Sequence, residues 1–284
     1  MIIDSHAHYF HKLYGGEFVF LDHSADGLRL SRGDLPAMMA AMRANAICMT
    51  IEPGISLQWL QKQKELAAQF APFVRLALGV HPKHCRENPW QEREKLRQAV
   101  LENEVVAIGE TGLDFSVAPE ELDAEDQERW FLYQIELAHG LELPLILHIR
   151  DAYPRALELL RAHRQILHGG VAHCFSGTVE DAFACVELGL ALGIGGRLLS
   201  DAGLQEVVKA VPLSAILVET DAPYIRPGLD GVPGEKKEKK KARNSSLILP
   251  MVIDKIAQLR GETRQLVEDA IYGNTLRVFR LERV

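Results

Sequence analysis

Eight short apolar runs alternate with amphipathic stretches along this chain, and that rhythm leaves few folds open. The runs are Met1-Ile2-Ile3 at the N-terminus, then 46–51, 73–79, 105–109, 145–148, 170–173, 190–194 and 215–219. Each is strand-sized and is followed by a stretch with helical spacing: 56–70, 90–102, 124–141, 151–163, 179–188, 201–210, 245–259 and 263–279. An earlier helix opens at Asp34-Leu35-Pro36 and runs through 38–44, with proline in its first turn. In the 124–141 stretch Phe131, Ile135 and Ala138 fall four and three apart, the spacing of one buried helix face. Short apolar strands joined by helices pair in parallel. Eight such units predict a single closed (β/α)8 TIM-type barrel spanning residues 1–284 as one domain. An open doubly wound sheet is the competing arrangement. It is weakened because no Gly-x-Gly-x-x-Gly follows the first strand.

Composition narrows the function. The chain has 284 residues, 47% hydrophobic and 25% charged, with a formal net charge of -7. That charge excludes general polyanion binding, so affinity for nucleic acid must come from a local patch. Such a patch exists at Glu235-Lys236-Lys237-Glu238-Lys239-Lys240-Lys241-Ala242-Arg243, which by composition alone reads as a mobile, solvated loop. Cys48, Cys85, Cys174 and Cys185 are widely spaced and form no Cys-x-x-Cys, which predicts a reducing compartment without disulfides or thiolate zinc. No signal-peptide pattern and no apolar run near ~20 residues is present, so the expected location is the cytoplasm, with no membrane association.

The chemistry gathers at strand ends. The first strand runs into His6-Ala7-His8, and a strand's period of two puts both imidazoles on one side. Alone, His-x-His is equally compatible with two unrelated surface histidines. Other strands end in His81, Glu110, His148-Ile149-Arg150, His173 and Glu219-Thr220-Asp221. In a barrel these ends form one mouth, and six of eight offering His, Glu or Asp to it predicts a metal site. Nitrogen and oxygen donors without thiolate suit Zn, Mn, Mg, Ni or Co alike. Four histidines and two carboxylates suffice for two divalent metal ions, with a carboxylate such as Glu110 bridging, and two metals favour hydrolysis.

Taken together, His6-Ala7-His8, Gly79-Val80-His81-Pro82, Ile108-Gly109-Glu110-Thr111-Gly112-Leu113-Asp114, Leu147-His148-Ile149-Arg150, His173-Cys174-Phe175-Ser176-Gly177 and Glu219-Thr220-Asp221-Ala222-Pro223-Tyr224 resemble the TatD family of metal-dependent hydrolases. The motifs run in the family's order from the first residues to the last helix. The resemblance implies an amidohydrolase-like barrel in which His6, His8 and Asp221 bind the first metal, Glu110 bridges, and His148 and His173 bind the second. It implies that His81 lies near the substrate phosphate and that Glu219 is a second acid close to the metals. Arg150, Arg243 and Asn244 match positions that the family uses around its substrate. Relatives are described as DNases, including 3′-to-5′ exonucleases on single strands, and some as D-aminoacyl-tRNA deacylases.

Two departures touch the substrate side. The segment 11–33 is longer than usual for the family, and its 18–21 run is expected to form a small hairpin or to cover part of the site. After Arg243-Asn244 come Ser245-Ser246, where the family has an acidic residue and a proline; Pro250 comes late. The expected function is therefore a metal-dependent phosphodiesterase with nucleic acid as substrate and no stable protein partner. Alternatives are an ester or amide hydrolase of the amidohydrolase type, such as a D-aminoacyl-tRNA deacylase, and a non-catalytic binding protein. Many hydrolases of the second kind carry a carbamylated lysine where this chain has Glu110, and the intact ligand set argues against the third.

Overall fold

The computed structural model describes residues 1–24, 27–116 and 123–283; Asp26, the first residue of the Asp26-Gly27 turn signal in the sequence, lies outside them. Ten strands and ten α-helices are defined among the described residues. In chain order they are β1 (Ile2–Asp4), β2 (Phe18–Ser24), β3 (Gly27–Gly33), α1 (Leu35–Ala44), β4 (Ile47–Glu52), α2 (Leu60–Gln69), β5 (Val74–Leu78), α3 (Arg93–Leu101), β6 (Val105–Asp114) and α4 (Ala124–Gly140). There follow β7 (Leu145–Arg150), α5 (Tyr153–Ala162), β8 (Gly170–Ala172), α6 (Val179–Glu187), β9 (Leu190–Ile194), α7 (Ala202–Ala210), β10 (Ile216–Val218), α8 (Lys236–Lys241), α9 (Leu249–Arg260) and α10 (Arg264–Phe279). Eight strands form one parallel sheet in the order β1-β4-β5-β6-β7-β8-β9-β10, the predicted barrel. Its seam is closed without a regular ladder. Ser5 N donates to Val218 O (3.0 Å), Asp221 N to His6 O (2.9 Å) and His8 N to Ala222 O (2.7 Å).

Strand parity builds two cores. Ile47, Leu76, Leu78, Leu145, Leu147, Ala172, Leu192 and Ile216 face the helices. The intervening Ile51, Ala77, Ala107, Ile146, Val171, Ala191 and Leu217 pack together with Val278 and Phe279 of α10, filling the barrel axis at its lower end. Two residues beyond an inward residue the chain points inward again. Ile146 therefore leads to His148, Val171 to His173 and Leu217 to Glu219. On β6 simple parity from Ala107 would turn Glu110 outward. The β6–β7 register shifts between Ile108 and Thr111, and this irregularity re-aims Glu110 to the axis.

The helices start where side chains can cap them. Asp34 accepts from Ala37 N (2.9 Å) ahead of α1, and Thr178 and Asp181 form a capping box on α6. The 11–33 segment contains an antiparallel hairpin, β2–β3, larger than the 18–21 run suggested. Its apolar face, Val19 and Leu21, packs on Ala242 and Ile248. Arg243 is stitched to its backbone, donating to Val19 O and accepting from Leu21 N, both at 2.8 Å. The basic run differs from its reading as a loop: 236–241 is a short helix. It lacks an apolar face, so periodicity gave no signal. It is held instead by Glu238 on Arg32 (2.9 Å) and by Arg226, which donates to Lys239 O and Ala242 O at its C-terminal end.

Candidate metal centre

Glu110 is buried at the barrel mouth, and its two carboxylate oxygens face different imidazole groups. Oε2 lies 3.2 Å from His6 Nε2 and 3.3 Å from His8 Nε2. Those nitrogens are 3.2 Å apart, and Asp221 Oδ1 is 3.7 and 3.4 Å from them. Oε1 lies 2.9 Å from His173 Nε2 and 3.2 Å from His148 Nδ1, themselves 3.1 Å apart. Nitrogen and oxygen ligands at about 2.0–2.2 Å from one ion stand about 2.9–3.5 Å from each other. Apart from the 3.7 Å between Asp221 and His6, both clusters have that spacing, so the donor set fits divalent cations on either side of Glu110. His173 also stacks on His6, with ring centroids 3.8 Å apart. The two clusters are thus contiguous, and His6, His173 and Asp221 are mutually close enough to share an ion.

The protonation pattern agrees. Burial would raise the Glu110 carboxyl, but the surrounding His173, His6 and His81 hold it well below the usual range. Burial and the neighbouring His173 depress His6. Burial opposes charge on His8 too, yet Asp221 and Glu110 push it up to about 10. His173 is raised well above its ordinary value despite burial, through Glu110 and Glu219. One imidazole in each cluster thus takes a proton beside the carboxylates, which is the positive charge that a cation would supply.

His81 is close enough to Glu110 Oε1 (3.5 Å) to be counted with the ligands, but its hydrogen bonding assigns it differently. Its Nδ1 accepts from Lys83 N at 3.0 Å, and burial together with nearby His148 keeps it neutral. Its proton therefore sits on Nε2, which is a donor facing the cavity and has no lone pair for a metal. His148 is the converse. Its Nε2 donates to Asp114 Oδ2 at 2.9 Å, so its Nδ1 lone pair faces Glu110 and His173.

Two cavities open on this centre and share His148, Arg150, His173 and Asp221. One, of about 390 Å³, is also lined by Phe10, Ile55, His81, Lys83, His84 and Tyr224. The other, of about 500 Å³, is lined by Asp151, Cys174, Ser176, Arg197 and Ile225. The structure therefore brings together His6, His8, His81, Glu110, His148, Arg150, His173 and Asp221.

It does not bring the remaining expected residues to the cavity. Glu219 is buried behind His173, 3.6 Å from its Nδ1, and accepts from Cys174 N. A Cβ on Gly193 would stand 2.0 Å from Glu219 Oε2, so the carboxylate occupies space that only glycine leaves open. Asn244 is fully buried and donates to Thr220 O and Tyr224 O, both at 2.9 Å; it braces the loop after β10 instead of meeting substrate. Arg243 is tied to Lys241 O (2.6 Å) beside the hairpin. Among the described residues no hairpin side chain lines either cavity, so the hairpin does not cover the site.

Three positioning residues escaped sequence reading. Asp114 is one; it lies four residues after Glu110 on the same strand, an even offset that places both on one face. Gly112 between them has φ 134°, and a Cβ there would meet His148 O at 2.1 Å. Lys83 reaches Asp114 Oδ2 at 3.1 Å. Asp4 accepts from His6 N, Thr220 N, Thr220 Oγ1 and Ser246 Oγ, locking the two chain segments that carry His6, His8 and Asp221.

Comparison with known proteins decides the family. The sequence profile described as TatD related DNase matches residues 3–280. This chain belongs to the TatD family. Similar relatives include the 3′-5′ ssDNA/RNA exonuclease TatD of Escherichia coli K12, 35% identical over 238 residues, covering 81% of this chain and 86% of the relative. Another is the protein of that name from Erwinia billingiae, 36% identical over 224 residues, covering 78% and 83%. Among solved structures, YJJV, a TatD homolog from E. coli K12, superposes with a TM-score of 0.80 at 26% identity, covering 99% of this chain and 98% of that one. The chain is a metal-dependent hydrolase of the TatD type. No helix among the described residues is long and apolar enough to cross a membrane.

Proposed function

We propose that this TatD-family enzyme is a two-metal phosphodiesterase that removes nucleotides from the ends of single-stranded nucleic acid, in the 3′-to-5′ direction named for its relatives. The observation that carries the reading is Glu110, one carboxylate presenting each oxygen to a separate ligand cluster. In this reading His6, His8 and Asp221 would hold the first cation, His148 and His173 the second, and Glu110 would serve both. Bound cations would supply Lewis-acid stabilisation of the phosphoryl oxygens and a more acidic water. Asp221 accepts the proton of the attacking water; an O–P bond forms, the P–O bond to the leaving group breaks, and Asp221 returns the proton to the leaving oxygen. The His81 Nε2–H and the Arg150 guanidinium hold non-bridging oxygens and stabilise the charge that develops on them. Glu219 and Asp114 orient His173 and His148 and do not touch the reacting atoms.

The test is turnover with added Mg, Mn, Zn, Ni or Co on single-stranded DNA, RNA and D-aminoacyl-tRNA, each repeated with Asp221→Asn. Loss of turnover by about 10²–10⁴-fold with little change in KM is the expected result on oligonucleotides. Exclusive cleavage of the aminoacyl ester would replace the phosphodiester reading with that of an ester hydrolase.

A further inference from the structure

The two cavities at the metal centre differ in chemistry. Besides its imidazoles and Lys83, whose ammonium is paired with Asp114, the smaller has aromatic and aliphatic walls: Phe10 and Tyr224 flank His8, with ring centroids 6.0 and 6.1 Å from it, and Ile55 adds to the apolar surface. Tyr224 is 45% exposed, so its ring face is open to a ligand. The larger has no aromatic lining. Besides Arg150, which both cavities share, it carries the Arg197 guanidinium and the Ser176 hydroxyl, with the carboxylates of Asp151 and the shared Asp221. Arg197 follows the glycine-rich end of β9 and is 39% exposed. Asp201 Oδ2 accepts from its Nη2 at 2.7 Å, which restrains the side chain at the cavity wall and uses one of its five N–H donors. Neither the sequence motifs nor the proposed chemistry assigns Arg197 a role.

The geometry points to a division of labour across the centre. The terminal nucleotide's base stacks in the smaller cavity, and the continuing strand leaves through the larger one, with Arg197 binding the phosphate next to the one being cleaved. Aromatic faces suit any base, whereas a backbone that continues needs cations at successive phosphates. This assignment rests on the phosphodiesterase reading and adds the path of the substrate to it.

Its test compares Arg197→Gln and Arg197→Lys with the unaltered enzyme on three substrates: bis(4-nitrophenyl) phosphate, a dinucleotide and a single-stranded hexanucleotide. The first two have only the scissile phosphate; the third has the next one as well. The expected result for Arg197→Gln is a KM for the hexanucleotide raised about tenfold, with kcat held, and the other two substrates unchanged. The salt dependence of hexanucleotide affinity should lose a slope of about 0.7, one phosphate contact, and Arg197→Lys should retain it. Asp201 caps α7 through Leu204 N independently of Arg197, and an unchanged melting temperature checks that α7 stays in place. Equal loss on the dinucleotide would overturn the assignment, as would an unchanged hexanucleotide KM. An unaltered enzyme that cuts the small diester but neither oligonucleotide would refute the nucleic-acid reading itself, before any variant is made, and this assignment with it.

Discussion

Asp114→Asn separates the two halves of the metal centre. The Asp114 carboxylate accepts from His148 Nε2 at 2.9 Å, from Ser116 N at 3.0 Å and from Lys83 Nζ at 3.1 Å. Burial opposes its charge, but His148 and Ser116 hold its carboxyl well below the ordinary carboxylate range, so it is ionised at neutral pH. Asparagine keeps the shape and one acceptor oxygen while removing the charge. A hydrogen bond to an ionised group contributes about 1.5–3 kcal/mol and a neutral one about 0.5–1.5 kcal/mol. The loss at His148 is therefore about 1–1.5 kcal/mol, or about tenfold in binding of a cation that needs this ring oriented and electron-rich. Nothing in the His6–His8–Asp221 cluster touches Asp114. Calorimetric titration of Zn or Mn into chelator-stripped protein should show one affinity falling about tenfold, the low end of such orienting contacts, with the other unchanged. Equal weakening of both affinities would mean that the ions bind as one unit. An unchanged titration would mean that His148 is not a ligand.

Three further outcomes are expected. Glu110→Gln should weaken both affinities and abolish turnover, because one carboxylate serves both clusters; full metal occupancy in that variant, measured by elemental analysis, would contradict the bridge. Replacing Lys236, Lys237, Lys239, Lys240 and Lys241 with Ala should weaken binding of long oligonucleotides, with a salt slope lower by about 0.7 per lost contact, and leave a small diester's hydrolysis unchanged, because α8 lines neither cavity. Glu52 is buried with Oε2 on Tyr9 N (2.7 Å) and Oε1 unpartnered, and burial raises its carboxyl to about 8. A raised acid stabilises the fold below its unfolded value of 4.5 and loses that contribution as pH rises through 8. Metal-free protein should therefore lose stability relative to Glu52→Gln between those limits, by up to about 1.4 kcal/mol per pH unit, and parallel melting curves across the range would refute the burial argument.

The barrel was legible because strands buried on both faces must be continuously apolar, and runs such as 190–194 match the observed β9 to the residue. The side chains that gather at the mouth were legible because barrel chemistry collects at strand ends. What stayed hidden has physical causes. β6 extends to Asp114 through Glu-Thr-Gly, residues without a strand signature, so the partner of His148 was read as part of a motif and not as a side chain facing the site. Lys83 and Arg197 sit in short 3₁₀ helices just past their strands, where no periodicity shows which way they point. Asn244 was expected around the substrate from the family resemblance, and sequence alone does not show that three backbone carbonyls of the loop after β10 satisfy its amide inside the protein.

The seam between β1 and β10 has a consequence for how the enzyme comes into being. His6 and His8 are made long before Asp221, Thr220 and Ser246, which complete their cluster or lock it through Asp4. Glu110 and the His148–His173 pair arrive in between. A nascent or truncated chain ending before β10 therefore carries every imidazole of the cluster and still lacks Asp221, the carboxylate proposed to hold a cation and take the proton. The cluster is thus completed late in synthesis, together with closure of the barrel seam.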